Sequence, residues 1–319
     1  YKQYGNVGSY TITPGGLTSK NYKITYGNGT LIVTEKPISI NWGSTTHTYD
    51  GTPWAPSATA GGMVNGDALT LTVSGEKTDA GDYPATVTGI QGDKAGNYKL
   101  PDNPTTSYTI TPADAQFTPP TPKKGLIYDG ETQELINPGS SAHGTFRYWL
   151  DGELPGESIP QAKNAGTYTV HYQMMGDKNH KDGTAGQFDV KIAQKDIKGA
   201  TVTLGDSLTY NGQEQTQTIR SVTVDGLDVT YRVVADSNTG TNADWYDLTL
   251  AGTGNFDGIW HDEWEIAKKD VTIENTAVES TKVYDGTTVA MITNIGTPSD
   301  NYDGDGLQIA PGTAAYDNK

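Results

Sequence analysis

Alternation of apolar and polar residues is the dominant pattern along this chain. DALTLTV at 67–73 and LDVTYRVV at 227–234 place every second side chain on one face, which is the period of a half-buried β-strand. No stretch of about ten residues shows the i, i+3, i+4 spacing of an amphipathic helix. Connecting segments such as TPPTPKKG at 118–125 are rich in turn-forming residues. The pattern therefore predicts an all-β chain of short strands joined by turns.

A Tyr-Asp/Asn-Gly signature recurs at a spacing of about eighty residues, which indicates an internal repeat. Its tyrosines are Tyr49, Tyr128, Tyr210 and Tyr284. Gly and the preceding Asp or Asn tolerate positive φ, whereas Tyr favours a strand and can bond to the backbone through its hydroxyl. We therefore expect a strand to end here in every repeat. The alternative, in which the Asp binds a cation or acts as a catalytic acid, is disfavoured because the four copies stand in similar turn contexts.

A second signature, Asp/Asn-x-Gly-x-Tyr, precedes alternating strands. It reads NVGSY at 6–10, DAGDY at 79–83 and NAGTY at 164–168. This arrangement is typical of the tyrosine corner of Greek-key sandwiches, in which the Tyr hydroxyl bonds back to the backbone. Tyr83 and Tyr168 are therefore predicted to be structural residues. In a fourth copy Asp244 stands where glycine is expected, so this corner is expected to differ.

The two signatures recur at a similar distance from each other along the chain, and together they predict how the chain is divided into modules. Each whole segment is expected to be a small antiparallel β-sandwich, immunoglobulin-like, with about seven short strands. Only a few residues separate one segment's closing strand from the next opening strand, which predicts stiff joints in an elongated string. The predicted segments are the C-terminal half of a module at 1–35, whole modules at 36–112, 113–194 and 195–268, and the N-terminal half of a further module at 269–319.

The two predicted half modules are complementary in repeat phase. The chain opens with YKQYGNVGSYTIT, the second half of a module, and closes with GTAAYDNK, which corresponds to the stretch just before the second signature. Trimming in an exposed loop of a module explains why the chain opens and closes with complementary half modules. Completion of the half modules, within the chain or by another chain, explains it as well, and the sequence leaves both explanations open.

Three stretches carry a family resemblance. KVYDGTT at 282–288, the Gly-x-Tyr stretches and NYKITYGNGTLIVTEKP at 21–37 resemble the MBG and YDG modules that recur in tandem in bacterial surface proteins and adhesins. The resemblance implies an extracellular protein, attached to the cell surface or secreted, with a stalk or adhesive role. It implies no enzyme activity, no catalytic residue and no cofactor. A β-grasp-like module is the alternative fold, disfavoured because no helix is found.

Charge and composition narrow the range of partners. The formal net charge of −16 disfavours nucleic acid, because phosphate neutralisation needs clustered Lys and Arg. The chain has no cysteine, which excludes disulfides, thiolate nucleophiles and thiolate metal sites. No apolar run is long enough to cross a bilayer, so no membrane insertion is expected. Amide bonds between Lys and Asn or Asp side chains would need no cysteine, but the sequence identifies no particular group.

Catalytic and metal-binding patterns are weak. The five His residues form no His-x-x-x-His or Glu-x-x-His motif, and His180 is expected to be solvated in a loop. Asn301, Asp303 and Asp305 match the start of a calcium loop, but Gly312 stands where its bidentate Glu should be. No Gly-x-Ser-x-Gly motif and no phosphate-binding loop occur. The sequence therefore predicts no enzyme and no metal site.

Tryptophans are the best candidates for ligand binding, because indole rings stack on the apolar faces of sugars. The candidates are Trp54, Trp260 and Trp264, and the simpler interpretation places each in a small core or a joint. The main hypothesis is a non-catalytic stalk or adhesive region that projects a distal domain and binds a host glycan or an extracellular matrix or mucus ligand. The alternative is an array of glycan-binding modules, or an accessory region of a large secreted carbohydrate-active enzyme.

Overall fold

The computed structural model describes residues 5–64, 66–300, 307, 309–310 and 312–317. Strands account for 51% of these described residues. The only helical turn among these described residues is a 3-10 turn at Ala95–Asn97. The fold is therefore all-β, with many small sheets in a sandwich-like repeat arrangement, and the prediction of fold class is confirmed. A β-grasp module would need a helix packed on its sheet, and the described residues provide none.

Contacts divide the chain into two compact units. The first consists of Tyr1–Thr121, Ile136–Pro160 and Thr169–Phe188, and the second of Pro122–Leu135, Gln161–Tyr168 and Asp189–Lys319. The segment boundaries predicted from the repeat phase stay a prediction. No helix in the described part of the chain is long and apolar enough to cross a membrane.

Residues 5–35 form one antiparallel pair, β1 (Gly8–Ile12) with β2 (Gly29–Val33), in the register Gly8↔Val33 to Ile12↔Gly29. Residues 36–112 follow with two packed layers. Their strands are β3 (Lys36–Pro37), β4 (Ser39–Trp42), β5 (Thr46–Thr48), β6 (Ala58–Gly61), β7 (Thr70–Ser74), β8 (Gly81–Gln91), β9 (Tyr98–Lys99) and β10 (Thr105–Thr111).

The larger sheet of residues 36–112 has the order β5-β10-β8-β7, and the facing layer is the pair β4-β6. Every second side chain of β8 points inward, so that Ala85 and Val87 are buried while their neighbours are more exposed. The core between the layers has two clusters, formed by Ile38, Leu71, Val87 and Tyr98, and by Ala85, Tyr108 and Ile110.

Residues 113–194 contribute strands to both units. Their strands are β11 (Ala113–Asp114), β12 (Phe117–Thr118), β13 (Thr121–Pro122), β14 (Leu126–Ile127), β15 (Gln133–Glu134), β16 (Ile136–Asn137), β17 (Ser140–Ser141), β18 (Gly144–Leu150), β19 (Gln161–Ala162), β20 (Gly166–Gly176), β21 (His180–Lys181) and β22 (Gly186–Ala193). In the first unit β18 and β20 pair antiparallel with Tyr148 opposite Tyr172, and in the second unit β14 pairs parallel with the end of β22.

Residues 195–268 repeat the arrangement of residues 36–112. Their strands are β23 (Lys195–Asp196), β24 (Thr201–Leu204), β25 (Leu208–Thr209), β26 (Gln215–Thr216), β27 (Ile219–Val224), β28 (Leu227–Asp228), β29 (Tyr231–Val233), β30 (Thr239–Gly240), β31 (Trp245–Gly252), β32 (Phe256–Asp257) and β33 (Ile259–Ala267). The larger sheet has the order β25-β33-β31-β29, and the facing sheet is β24-β27-β28. The buried core consists of Ile197, Val222, Val224, Val229, Leu248, Leu250, Phe256, Trp264 and Ile266.

The described residues that follow 268 form two antiparallel pairs, β34 (Ile273–Val278) with β36 (Ile292–Pro298), and β35 (Val289–Ala290) with β37 (Ala314–Ala315).

One detail differs from the expected antiparallel sandwich. The opening strand of each large sheet runs parallel to the closing strand, as in β5 with β10, β14 with β22, and β25 with β33. The reason is that both strands leave the sheet at the same end. The opening strand then stops at the Tyr-Asp/Asn-Gly signature, and the closing strand leads into the following linker.

Candidate functional site: the joints between successive repeats

The Tyr-Asp/Asn-Gly signature ends the parallel strand pair in the same way in three copies. The Tyr N–H donates to the carbonyl of the last residue of the closing strand, as in Tyr49 to Thr111 at 2.8 Å and Tyr128 to Ala193 at 2.9 Å. Tyr210 donates to Ala267 at 2.9 Å. The signature tyrosine therefore marks the place where each opening strand leaves its sheet.

The second signature residue closes the turn with its side chain. The Oδ1 atom of Asp50, Asp129, Asn211 and Asp285 accepts a hydrogen bond at 2.9 Å from the backbone N–H two residues later. The glycine between them has φ near +80°, for example +82° at Gly130, which only glycine adopts at little cost. All four carboxylate or amide groups are thus used within their own turns, and their geometry is that of a structural turn.

Two tyrosine rings of this signature face the next repeat. Tyr49 meets His180 edge to face with ring centroids 5.4 Å apart, and Tyr128 meets Phe256 in the same way at 5.4 Å. Edge-to-face pairs at this distance are attractive. Tyr284, in contrast, is 90% exposed. Each contact lies within one compact unit, and it joins a turn of one repeat to an aromatic residue of the following one.

The second signature forms a tyrosine corner in every copy. The hydroxyls of Tyr10 and Tyr168 donate to the carbonyls of Asn6 and Asn164 at 2.7 Å, and that of Tyr83 donates to Ala80 at 3.3 Å. The Asp244 copy was expected to differ, yet its corner bond is also present. There Tyr246 donates to the Asn242 carbonyl at 2.9 Å, because this bond needs only the tyrosine and the backbone four residues earlier.

An asparagine of each following repeat binds this corner, and we call the contact the asparagine clasp. Asn97, Asn179 and Asn255 accept hydrogen bonds through Oδ1 from the backbone N–H groups of Val7, Ala80 and Ala165, at 2.8, 2.8 and 2.9 Å. Their Nδ2 groups donate to the side chains of Asn6, Asp79 and Asn164 at 3.2, 3.1 and 3.1 Å. One amide side chain thus makes two bonds to the neighbouring repeat at three joints.

The backbone of the clasp residue holds the linker that enters its own repeat. The carbonyls of Asn179 and Asn255 accept hydrogen bonds at 2.9 Å from the N–H groups of Ala113 and Lys195. The next residues continue as short parallel pairs, β11 with β21 and β23 with β32, and β3 pairs with β9 likewise. The backbone around the clasp residue therefore holds the linker, while the asparagine side chain holds the tyrosine corner of the preceding repeat.

Sequence reasoning missed these asparagines, although a signal exists. They stand in GDKAGNY at 92–98, GDKNH at 176–180 and GTGNF at 252–256, always directly before an aromatic residue. The ion pair between Lys178 and Asp79, at 2.6 Å, supports the middle joint. The Lys178 ammonium and then the Asn179 amide lower the pKa of the Asp79 carboxyl, while this carboxylate raises the pKa of Lys178.

A group of titratable side chains lies at the same joint. His143, Asp177 and His180 offer ligand atoms that all lie within 4.8 Å of one another. His180 was expected to be solvated, but its side chain is only 11% exposed, since it packs under Tyr49 and stacks on His143 at 4.0 Å. The His180 ring bonds Asp177 at 2.7 Å, and this bond is the main cause of the lowered pKa of the Asp177 carboxyl. The calcium loop suggested at 301–306 lies outside the described residues.

The candidate tryptophans lie mainly in the cores. Trp264 is 2% exposed and donates through Nε1 to the Ser237 carbonyl at 2.9 Å, so this residue is not a ligand platform, and the simpler interpretation of a core position is confirmed for it. Trp54 is half-buried and stacks on His47 at 4.8 Å, and Trp260 packs against the core of residues 195–268. Trp245, which sequence reasoning did not single out, is 60% exposed.

Comparison with known families gives one match. Residues 2–32 match the family described as MBG domain (YGX type), a range that contains β1 and ends within β2. The match supports an MBG-type module in this segment. No curated protein matches the chain.

Proposed function

We propose that the chain is a non-catalytic repeat region of a bacterial surface protein, extracellular and either attached to the cell or secreted. Its tandem modules form a stalk that projects a distal domain. The observation that carries this proposal is the asparagine clasp, present with nearly the same distances at three joints. The residues that recur from repeat to repeat are used in turns and joints. This is expected of a region whose role is to hold its modules in a fixed arrangement. The MBG match at 2–32 supports the same assignment.

Rigidity of the joint follows from combining several weak contacts. A hydrogen bond contributes about 0.5–1.5 kcal/mol, and an edge-to-face aromatic pair contributes a similar amount. At the middle joint the two bonds of Asn179, the backbone bond to Ala113 and the ring contact between Tyr49 and His180 act together. Bending the joint would break them as a group, because all lie on one loop.

Distance measurement between two spin labels tests this rigidity. Because the chain has no cysteine, Thr59→Cys with Arg147→Cys would be labelled only at these two exposed positions, on β6 and β18. In EDTA, we expect a narrow distance distribution that Asn179→Ala broadens. Asn137→Ala is the matched control, since its amide bonds Thr121 away from the joint, and it should leave the distribution narrow. A distribution that is already broad without Asn179→Ala would contradict the stalk mechanism.

Location on the cell surface is tested separately. Antibodies raised against the purified chain should label intact cells of the source bacterium, or detect the protein in its culture medium. Labelling that requires permeabilised cells would refute the extracellular assignment and leave the joint mechanism untouched.

A glycan-binding role is the second candidate, and the exposed ring of Trp245 favours it. Such a surface would serve an adhesive region that binds a host glycan or a matrix or mucus ligand, or an accessory region of a secreted carbohydrate-active enzyme. Binding on a glycan array that Trp245→Ala abolishes, and that Tyr22→Ala at another exposed aromatic leaves intact, would support it. Absence of binding to any glycan would favour a stalk without this activity.

A further inference from the structure

Three side chains that commonly bind transition metals meet at the middle joint. His143 precedes β18, while Asp177 and His180 flank the turn between β20 and β21. One ligand atom of each lies within 4.8 Å of the others. Two imidazoles and one carboxylate are a ligand set that suits Zn²⁺ and related divalent ions. This combination is not repeated at the other joints, where Tyr98 and Phe256 occupy the position of His180.

The backbone holds the three residues in a fixed arrangement. The Asp177 N–H donates to the His143 carbonyl at 2.9 Å, and the His180 N–H donates to the Asp177 carbonyl at 3.2 Å. Asn179 adds a bond from its N–H to Asp177 Oδ1 at 2.8 Å. Because these bonds place all three Cα atoms, bringing the ligand atoms together needs only side-chain rotation. A preformed backbone lowers the entropic cost of binding an ion.

Access and charge also fit an ion at this place. His180 is mostly buried under Tyr49, whereas the Asp177 side chain is 45% exposed, which leaves one side open to solvent. Lys178, which follows Asp177 in the chain, is paired with Asp79 at 2.6 Å. The two imidazole rings are stacked with an interplanar angle of 27°, so each must turn about its Cβ–Cγ bond to face one ion, and this torsion is soft.

We propose that His143, Asp177 and His180 form a binding site for a divalent transition metal, with Zn²⁺ as the probe. The imidazoles bind as neutral ligands and Asp177 as a carboxylate, and water fills the remaining position of a tetrahedral ion. The hydrogen bond between Asp177 and His180 is replaced when both bind the metal. Any proton that it holds then passes to the solvent.

Metal binding would act directly on the clasp. Asn179 lies between Asp177 and His180 in the chain, and its side chain holds Ala80 of the preceding repeat. An ion on both flanking residues therefore fixes the loop that carries the clasp. The proposal that this site binds metal does not rest on the proposed stalk function. The further expectation that metal stiffens the joint does rest on it.

Calorimetric titration of the metal-stripped full chain with ZnCl₂ tests the site. We expect one saturable site per chain, weakened at least about tenfold by His143→Ala or by His180→Ala. His171→Ala is the matched control, because His171 also pairs with an aspartate, Asp151, at 2.6 Å but belongs to no such cluster. It should bind Zn²⁺ like the unmodified chain. Ca²⁺ in excess should not compete, since it prefers oxygen ligands.

Imidazole NMR signals of the unmodified chain provide a reading that does not depend on how the variants fold. Zn²⁺ should shift the ring nitrogens of His143 and His180 and leave the other three of the five histidines in place. Shifts spread over all five rings, retention of binding in His143→Ala, or equal loss in His171→Ala would show an adventitious ion only. Absence of saturable binding would overturn the site as well.

Discussion

Removing one clasp amide gives the sharpest test of how the joints are held. Asn255→Ala deletes the bond from the Ala165 N–H to Oδ1, at 2.9 Å, and the bond from Nδ2 to Asn164, at 3.1 Å. At about 0.5–1.5 kcal/mol for each hydrogen bond, the joint should lose about 1–3 kcal/mol. Water can reach the exposed Asn164 more easily than the partly buried Ala165 amide, so most of the loss should come from the bond to Ala165.

Amide hydrogen exchange reads this loss locally. The Lys195 N–H donates to the Asn255 carbonyl at 2.9 Å, a bond that the substitution keeps, so its exchange reports loosening of the joint. A loss of 1–3 kcal/mol should speed exchange of the Lys195 amide about 5- to 150-fold. The Ala80 amide, which makes the same bond to Asn179 at another joint, is the internal control and should not change.

Two results would refute this reasoning. Unchanged exchange at Lys195 would show that the linker is held without the clasp, and equal acceleration at Ala80 would show global destabilisation. Asn255→Asp gives a graded variant, because it keeps an acceptor for the Ala165 N–H but replaces the donor that faces Asn164. Its effect should lie between those of the unmodified chain and Asn255→Ala.

A contact across the third joint and one surface turn give two further predictions. Gly130→Ala and Gly51→Ala both strain a backbone at φ +82°, but only at Gly130 would the new Cβ meet a side chain, Leu227 Cδ2 at 2.6 Å. Thermal unfolding should therefore show a larger loss of stability for Gly130→Ala than for Gly51→Ala. Equal losses would contradict the contact with Leu227. The hydrogen bond from Lys282, followed by those from Thr287, lowers the pKa of Asp285 from 3.8 to about 2. The resulting stabilisation is present above pH 3.8 and is lost as the pH falls through about 2. A carboxyl NMR titration should find this midpoint and should find it raised in Lys282→Ala.

The local structure was largely predictable from the sequence, because its causes lie close together in the chain. Alternation placed β7 and β8 as half-buried strands, and the Tyr-Asp/Asn-Gly signature predicted where the opening strands end. The corner hydroxyl bond of Tyr168 spans only four residues. Such features depend on turn-forming residues and on the alternation of residues along a strand, and a short stretch of sequence is enough to identify both.

Contacts between distant residues were not predictable in this way. Asn255 and Ala165 are separated by 90 residues, and the pairing appears only when two repeats are placed side by side. The cluster of His143 with Asp177 and His180 was missed for the same reason. The sequence left Trp264 open between a core position and a ligand platform, because a period of two fixes the face on which a residue lies, but not whether a second layer covers that face.

The parallel pairing of first and last strands determines how each repeat would bear a pull along the chain. A load would enter through the start of β5 and leave through the end of β10, and these points lie at opposite ends of one strand pair. The strands are then sheared past each other, so the bonds from Thr109 to Thr45 and from Tyr49 to Thr111 resist simultaneously rather than opening one by one. An antiparallel edge at this position would unzip from one end.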